Sequence, residues 1–338
     1  MNGWKLIKPF KIERSDVEDK SGAVGVSKIK ITKSLLTLSD VLAYDGEIEA
    51  ENVVIGSFGV GIISEAGANL FEIEKGKRVF VEATRPCNEC YNCMSNQPHK
   101  CSNLLVAGED FDGFLRDFVS VDAESIYLLP DSITDVEALY IGYVSLALSI
   151  VDKLEIKKGE YVAIIGSDSL AVILAQLLIY YQAVPIIIGE NKEELEIAKK
   201  SGIYYVFDIE DNYLKEVFNI TGGRLAKKSV YISDSDISVS KAFAVSSFNA
   251  SVAFTGTMNK NVTASFSQAV KKQLNIFCVN TGYGNTESSI NLIANKAIDL
   301  SNLEIATAPY SDVPEVLSKM ENELKETGKI HDTVINLV

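Results

Sequence analysis

Histidine is almost missing from this chain: its 338 residues include two, His99 and His331, so any metal site draws mostly on other donors. Cations are also short. Lys plus Arg number 32 against 46 Asp plus Glu, a net charge of −14, which repels phosphate backbones and anionic lipid and argues against a nucleic-acid or membrane partner. No long hydrophobic run is present. The most apolar stretch, Leu170 to Ile188, is interrupted by Gln176, Gln182 and Pro185 and reads as a helix running into a buried strand rather than a membrane span. The opening MNGWKLIKPFKIER has no apolar h-region, so no ordinary secretory signal is expected and a soluble cytoplasmic protein is. Five cysteines, four of them between 87 and 101, are too few and too clustered for a secreted disulfide framework. What the chain does have suffices for folding: 47% apolar and 23% charged residues support a sizeable core and, at this length, about two domains.

From Tyr161 onward short apolar β-type runs alternate with amphipathic helical ones. YVAII (161–165) precedes a helical stretch at 169–182, and VPIII (184–188) precedes KEELEIAKK (192–200). YYVF, SVYIS, SVAFTG and LNIFCV follow, ending at 279. Apolar strands joined by helices need a parallel sheet covered on both faces, so this half is expected to be doubly wound α/β. Before residue 140 the pattern changes to β-like pieces such as VSKIKIT, KRVFVEA and DFVSV between Gly-containing turns, the mark of a β-rich domain with few helices. A helix at 312–327 and a final strand VINLV are expected to complete that first domain. No tandem repeat or low-complexity linker separates the two.

Cys87, Cys90, Cys93 and Cys101 spell C-x2-C-x2-C-x7-C. Two-residue gaps let successive thiolates turn toward one centre, and the seven-residue return closes a tetrahedral four-sulfur shell. A closed shell leaves no place for substrate, so the expectation is one structural zinc whose binding energy becomes local folding energy. An iron–sulfur cluster is the alternative a four-thiolate shell also suits. His99 lies inside the loop but is not needed as a ligand.

With these cysteines in place the chain resembles the zinc-containing alcohol dehydrogenases of the medium-chain dehydrogenase/reductase superfamily, which carry this spacing in a protruding lobe. EKGKRVFVEAT resembles the segment entering the lobe, DGFLRDFVSVDAESIYLLPDSIT the one leaving it, and KKGEYVAIIG with ENKEELEIAKKSG the start of a nucleotide domain. The resemblance implies a β-rich GroES-like catalytic domain at 1–140 and 285–338 with its zinc lobe at 85–102, and a Rossmann-type dinucleotide-binding domain at 141–284.

The family's reactive site is where this chain departs. A second zinc there polarises the alcohol oxygen and keeps three protein ligands with an open fourth position. The first ligand position falls on Thr37, the second on Ser57 with Phe58 beside it, and the third on Gly142; Cys278 is the one cysteine outside the cluster and is expected to be a buried small apolar residue. No catalytic zinc is therefore expected. Ser39 and Asp40 stand where the family has a proton-relay hydroxyl and its neighbouring acid; the other reading of this pair is a helix N-cap. A hydroxyl relay without its metal can shuttle a proton but cannot acidify an alcohol by many units.

The dinucleotide fingerprint reads Gly166-Ser167-Asp168-Ser169-Leu170-Ala171. Its first and third positions suit a tight turn and close helix packing, but the second, Asp168, puts bulk and negative charge where a pyrophosphate meets a helix N-terminus. Two like charges about 4 Å apart repel by roughly 1 kcal/mol in water and about 4 kcal/mol at a partly shielded surface. The acid position for the adenine ribose falls on Gly189, with Glu190 next; Glu190 is open either to a ribose hydroxyl or to capping the following helix. A Gly there also suits NADP, for which Lys192 is the nearest cation. Ser233-Asp234-Ser235-Asp236 replaces the family's Thr-Gly beyond the fourth strand.

Two functions are compatible with this pattern. One is an atypical NAD(P)-dependent oxidoreductase acting on a small molecule without catalytic zinc, with Tyr44 and Tyr143 as candidate donors or as core residues. The other is a catalytically silent descendant with a binding or assembly role. The resemblance also implies a homodimer or homotetramer, with LNIFCVNTG as the edge strand of an extended sheet.

Overall fold

A computed structural model describes residues 2–17, 25–67, 73–232, 239–256 and 264–338. The chain divides into two compact units, Met1–Gly142 with Glu304–Val338, and Tyr143–Leu303.

The first unit is built on a seven-stranded sheet in which Val26–Leu36 pairs antiparallel with Phe58–Glu65, Phe118–Asp122 and Thr333–Asn336. The last of these brings the C-terminal segment back into the sheet, where it also carries Ala306–Pro309 as a parallel neighbour. Alternation explains the core. Ile29 and Ile31 of the long strand point to one face with Ile63, Val79, Val81, Val119 and Val121, and all are buried. Its end, Leu36, turns into a second cluster with Val41, Leu42, Val313, Leu317 and Met320, where helices Leu38–Asp45 and Val313–Thr327 pack together. Full burial of such side chains contributes about 1.5–3 kcal/mol each.

The second unit holds a six-stranded parallel sheet. In spatial order its strands are Tyr205–Asp208, Val184–Gly189, Tyr161–Ile165, Ala226–Ile232, Ser246–Thr255 and Asn275–Cys278. The first strand in sequence lies third from one edge, and the order reverses beside it, which is the doubly wound arrangement. Ile164, Ile165, Ile186, Ile187 and Ile188 are wholly buried because helices cover both faces. Helix Ser169–Tyr180 is buried nearly all round, and its one polar interior residue, Gln176, is satisfied by the backbone of Asp299 through bonds of 2.9 and 2.7 Å. Helix Lys192–Lys200 is amphipathic and polarised, with Glu193 and Glu194 in its first turn and Lys199 and Lys200 in its last, matching the helix dipole.

Two expectations need correction. The second unit runs to Leu303 rather than stopping at 284, because the segment from Asn285 is tied to helix Ile141–Leu154 and to Gln176. Ser289 Oγ lies 2.8 Å from Ser145 Oγ, Asn285 donates to Ser149 Oγ at 3.0 Å, and Ile290, Ile293 and Ile298 are buried. Cys278 is exposed rather than buried, because Asn275–Cys278 is the outermost strand and little covers its side chains. Among the described residues no helix is long and apolar enough to cross a membrane.

Candidate functional site

The four clustered cysteines converge. Cys87 follows strand Thr84–Arg85, Cys90 caps and Cys93 lies within the one-turn helix Tyr91–Met94, and Cys101 ends the short turn Pro98–Lys100. Their sulfurs lie within 4.8 Å of one another, with Cys90–Cys93 and Cys87–Cys101 at 3.5 Å and Cys87–Cys93 and Cys90–Cys101 at 4.0 Å. A tetrahedron with zinc–sulfur bonds of about 2.3 Å has edges of about 3.8 Å, so the spacing fits zinc. Backbone N–H groups of Cys87 and Cys90 point at the sulfurs of Cys101 and Cys87, 3.3 and 3.4 Å away, as anionic thiolates require. His99 is exposed and not part of the group.

A second constellation occupies the positions where the family resemblance places the reactive metal. Helix Leu38–Asp45 begins after Thr37, and Asp40 in its first turn reaches back to accept from Thr37 N at 2.9 Å. The helix start is therefore closed by Thr37 and Asp40 together, with Ser39 outside that bond. Ser57 arrives from just before strand Phe58–Glu65. The hydroxyls of Thr37, Ser39 and Ser57 form a closed triangle of 3.0, 2.9 and 3.1 Å. Asp40 anchors it: Oδ2 accepts from Ser57 Oγ at 2.7 Å and Thr37 Oγ1 at 3.3 Å, and Oδ1 accepts from Gly56 N at 2.7 Å. Asp40 is 3% exposed. Burial pushes its carboxyl above the ordinary range, while the bonds from Ser57, Thr37 and Gly56 pull against that.

The third position that the resemblance points to, Gly142, packs against Phe58: a Cβ placed on Gly142 would lie 2.1 Å from Phe58 Cε1, so the ring occupies the space of a side chain there. Tyr44, weighed above as a donor, instead packs in the core of the first unit with its hydroxyl 3.1 Å from Ser318 Oγ.

One residue escaped the sequence reading. Gly108 packs close to Gly56 and Asp40, and the half-buried Glu109 that follows has its pKa pushed up to about 7, first by burial and then by the charges of Asp40 and Asp110. Neither periodicity nor spacing marks Glu109; only its place after the cysteine lobe could have drawn notice. Because the folded pKa lies above the unfolded one, the folded state binds the extra proton between about pH 4.5 and 7, and its stability falls as pH rises through that window. Glu109→Gln should leave the melting temperature unchanged at pH 4 and raise it at pH 8, by the equivalent of about 1 kcal/mol after allowance for solvent screening. Equal effects at both pH values would contradict this.

The nucleotide end of the second unit combines intact and altered parts. Gly166 has φ +129°, a conformation side chains disfavour, and a Cβ there would meet Ile232 at 3.2 Å. Ala171 is fully buried, as close helix packing needs. Asp168 caps helix Ser169–Tyr180, its Oδ1 accepting from Ala171 N at 2.8 Å. Ser167 donates to Glu194 Oε2. The next helix is capped by Asn191, which accepts from Glu193 N and Glu194 N, so Glu190 is not the cap. Ser233 to Asp236 lie outside the described residues.

A GroES-like β unit with a four-cysteine lobe, joined in one chain to a doubly wound parallel sheet, defines a medium-chain dehydrogenase scaffold. The alcohol dehydrogenase GroES-like domain matches residues 25–131. Over 297 residues the chain is 26% identical to an uncharacterized zinc-type alcohol dehydrogenase-like protein of Haemophilus influenzae, covering 87% of each. It is 26% identical over 220 residues to the L-threonine 3-dehydrogenase of Idiomarina loihiensis, a match spanning 62% of that protein. In fold it resembles an alcohol dehydrogenase from E. coli CFT073 solved with NADH, with a TM-score of 0.85, 21% identity and coverage of 100% and 99% of the two chains. Residues 25–131 thus carry an alcohol dehydrogenase GroES-like domain, and most of the chain is similar to a zinc-type alcohol dehydrogenase-like protein.

Proposed function

We propose that this protein is an atypical NAD(P)-dependent oxidoreductase of the alcohol dehydrogenase type that carries one zinc, in the cysteine lobe, and none at its reactive site. The observation that carries the reading is the triangle of Thr37, Ser39 and Ser57 hydroxyls on buried Asp40. Neutral hydroxyls already bonded to one another are poor zinc ligands, and Phe58 fills the space over Gly142. The residues present do not suit a catalytic zinc.

For the dinucleotide the fit is better: the turn at Gly166 and the packing at Ala171 suit it, against one charge at Asp168. NAD(P)H supplies hydride when bound. The chain's own contribution is a proton path, with Asp40 at its buried end and Ser39 and Ser57 at its half-buried end. Such a path can protonate a carbonyl oxygen or carbanion as hydride is accepted. Without a metal it cannot make an alkoxide from an alcohol at neutral pH, so the reading favours reduction of an activated carbonyl or alkene over alcohol oxidation. A reducing, cytoplasmic compartment would keep the four thiols free for zinc.

A second reading, a catalytically silent descendant with a binding or assembly role, is favoured by the Asp168 carboxylate on the helix start. Calorimetric titration of the zinc-loaded protein with NADH and NADPH separates the two. Binding in the micromolar range, followed by oxidation of NAD(P)H with aldehydes, ketones or activated alkenes, is the expected result; no binding at millimolar cofactor would leave only the silent reading. Self-association through the exposed edge strand Asn275–Cys278 is part of the proposal, with light scattering giving at least a dimer mass.

A further inference from the structure

We propose that Glu109 is the acid of the candidate reactive site: its carboxyl holds the proton that reduction consumes and gives it up to the substrate as hydride arrives. The inference rests on the oxidoreductase reading above and deepens it.

The hydroxyl triangle can conduct a proton but cannot restock one. Thr37, Ser39 and Ser57 are too weak as acids to supply a proton at neutral pH. Asp40 is 3% exposed and ringed by donors, with Thr37 N, Thr37 Oγ1 and Ser57 Oγ on Oδ2 and Gly56 N on Oδ1. A proton taken from it has no direct route back from water. Turnover therefore needs an acid that stands beside this group and also reaches solvent.

Glu109 is held at that place. It lies in a turn closed by bonds from Gly108 N to Phe111 O at 2.8 Å and from Asp110 N to Val106 O at 2.9 Å, and pinned to the sheet by Ala107 N donating to Ala83 O at 2.8 Å. Gly108, at φ +85°, lays the turn on the triangle's support: a Cβ there would stand 3.5 Å from Gly56 N and 3.8 Å from Asp40 Oδ1. The Glu109 side chain that follows is half-buried and makes no hydrogen bond or ion pair among the described residues. The charged groups around it are engaged elsewhere. Asp110 Oδ2 accepts from Val106 N, Arg85 stands 4.2 Å over the Phe111 ring, and Arg116 pairs with Asp112 at 3.6 Å. Burial holds the Glu109 pKa at about 7, helped by Asp40 and then by Asp110. A carboxyl of that strength is still partly protonated at neutral pH, where a general acid works best.

The step balances without a further reactant. As hydride is accepted at a carbonyl carbon, the π pair of the C=O bond moves to oxygen, an O–H bond forms there, and the O–H bond of Glu109 breaks. The carbonyl is reduced, the dihydronicotinamide is oxidised, and the Glu109 carboxylate takes its proton back from water.

Two measurements on the full zinc-loaded chain test this. Infrared titration without cofactor should show a protonated carboxyl that ionises near pH 7 and is missing from Glu109→Gln. With a carbonyl compound that the wild type reduces, Glu109→Gln should lower kcat at least about a hundredfold with little change in KM, and Glu109→Asp should restore part of it. The wild-type rate should fall as pH rises above about 7, and this fall should vanish in Glu109→Gln. A carboxyl already ionised well below neutral pH, a loss of kcat under about tenfold, or the same pH profile in both proteins would each overturn the assignment while leaving the oxidoreductase reading intact. A wild type that reduces no carbonyl compound would remove that reading and the assignment with it.

Discussion

Asp168→Asn should bind NADH about tenfold more tightly than the wild type, or better, with no loss of stability. Asp168 caps helix Ser169–Tyr180 through the bond from Ala171 N, and Asn caps about as well as Asp. The change therefore removes the charge and keeps the helix start. A carboxylate about 4 Å from a phosphate costs roughly 1 kcal/mol in water and about 4 kcal/mol at a partly shielded surface, against 1.4 kcal/mol for each factor of ten. Asp168→Gly adds room at a cost of only a few tenths of a kcal/mol for the cap, so its affinity should equal or exceed that of the Asn variant. Titration of the three proteins side by side decides it; affinity unchanged by loss of the charge would mean that the pyrophosphate does not lie at this helix start.

Removing the zinc proposed for the cysteine lobe should have the other large effect. Between Cys87 and Cys101 no residue is buried, and the helical pieces span four and three residues, far below the length that holds itself in water. The order of this lobe must come from its sulfurs and what they bind. Zinc sites of this kind contribute on the order of 10 kcal/mol to the structure they close, so Cys93→Ser should cost roughly 3 kcal/mol or more and chelation should cost more than that. Hydrogen exchange should show fast exchange confined at first to residues 85–102, with the parallel sheet still protected. A lobe that stays protected after chelation would contradict the zinc assignment.

The parallel sheet was legible because its residues repeat. YVAII matches strand Tyr161–Ile165 residue for residue and KEELEIAKK matches helix Lys192–Lys200, since each carries an unambiguous period and a turn at both ends. The cysteine spacing was legible for the same reason, as a local pattern with local geometry. What pattern could not reach was any relation between residues distant in sequence. Ser57 joins Thr37 and Ser39 across 20 and 18 positions, and Glu194 joins Ser167 across 27. The exposure of Cys278 follows from which strand is outermost, which its apolar neighbours do not reveal. The link from Asn285 onward to helix Ile141–Leu154 depends on small polar contacts such as Ser145 with Ser289, and these leave no periodic trace. Glu109 gained its raised pKa first from burial and then from the fold bringing Asp40 near it, neither of which its own segment records.

Metal content tests the account most directly. Elemental analysis of protein purified without added metal should find one zinc per chain, lost when Cys87, Cys90, Cys93 and Cys101 are replaced by Ser and retained when Thr37 and Ser57 are replaced by Ala. Two zinc ions per chain, one of them lost with Thr37 and Ser57, would show that the hydroxyl triangle holds a metal after all.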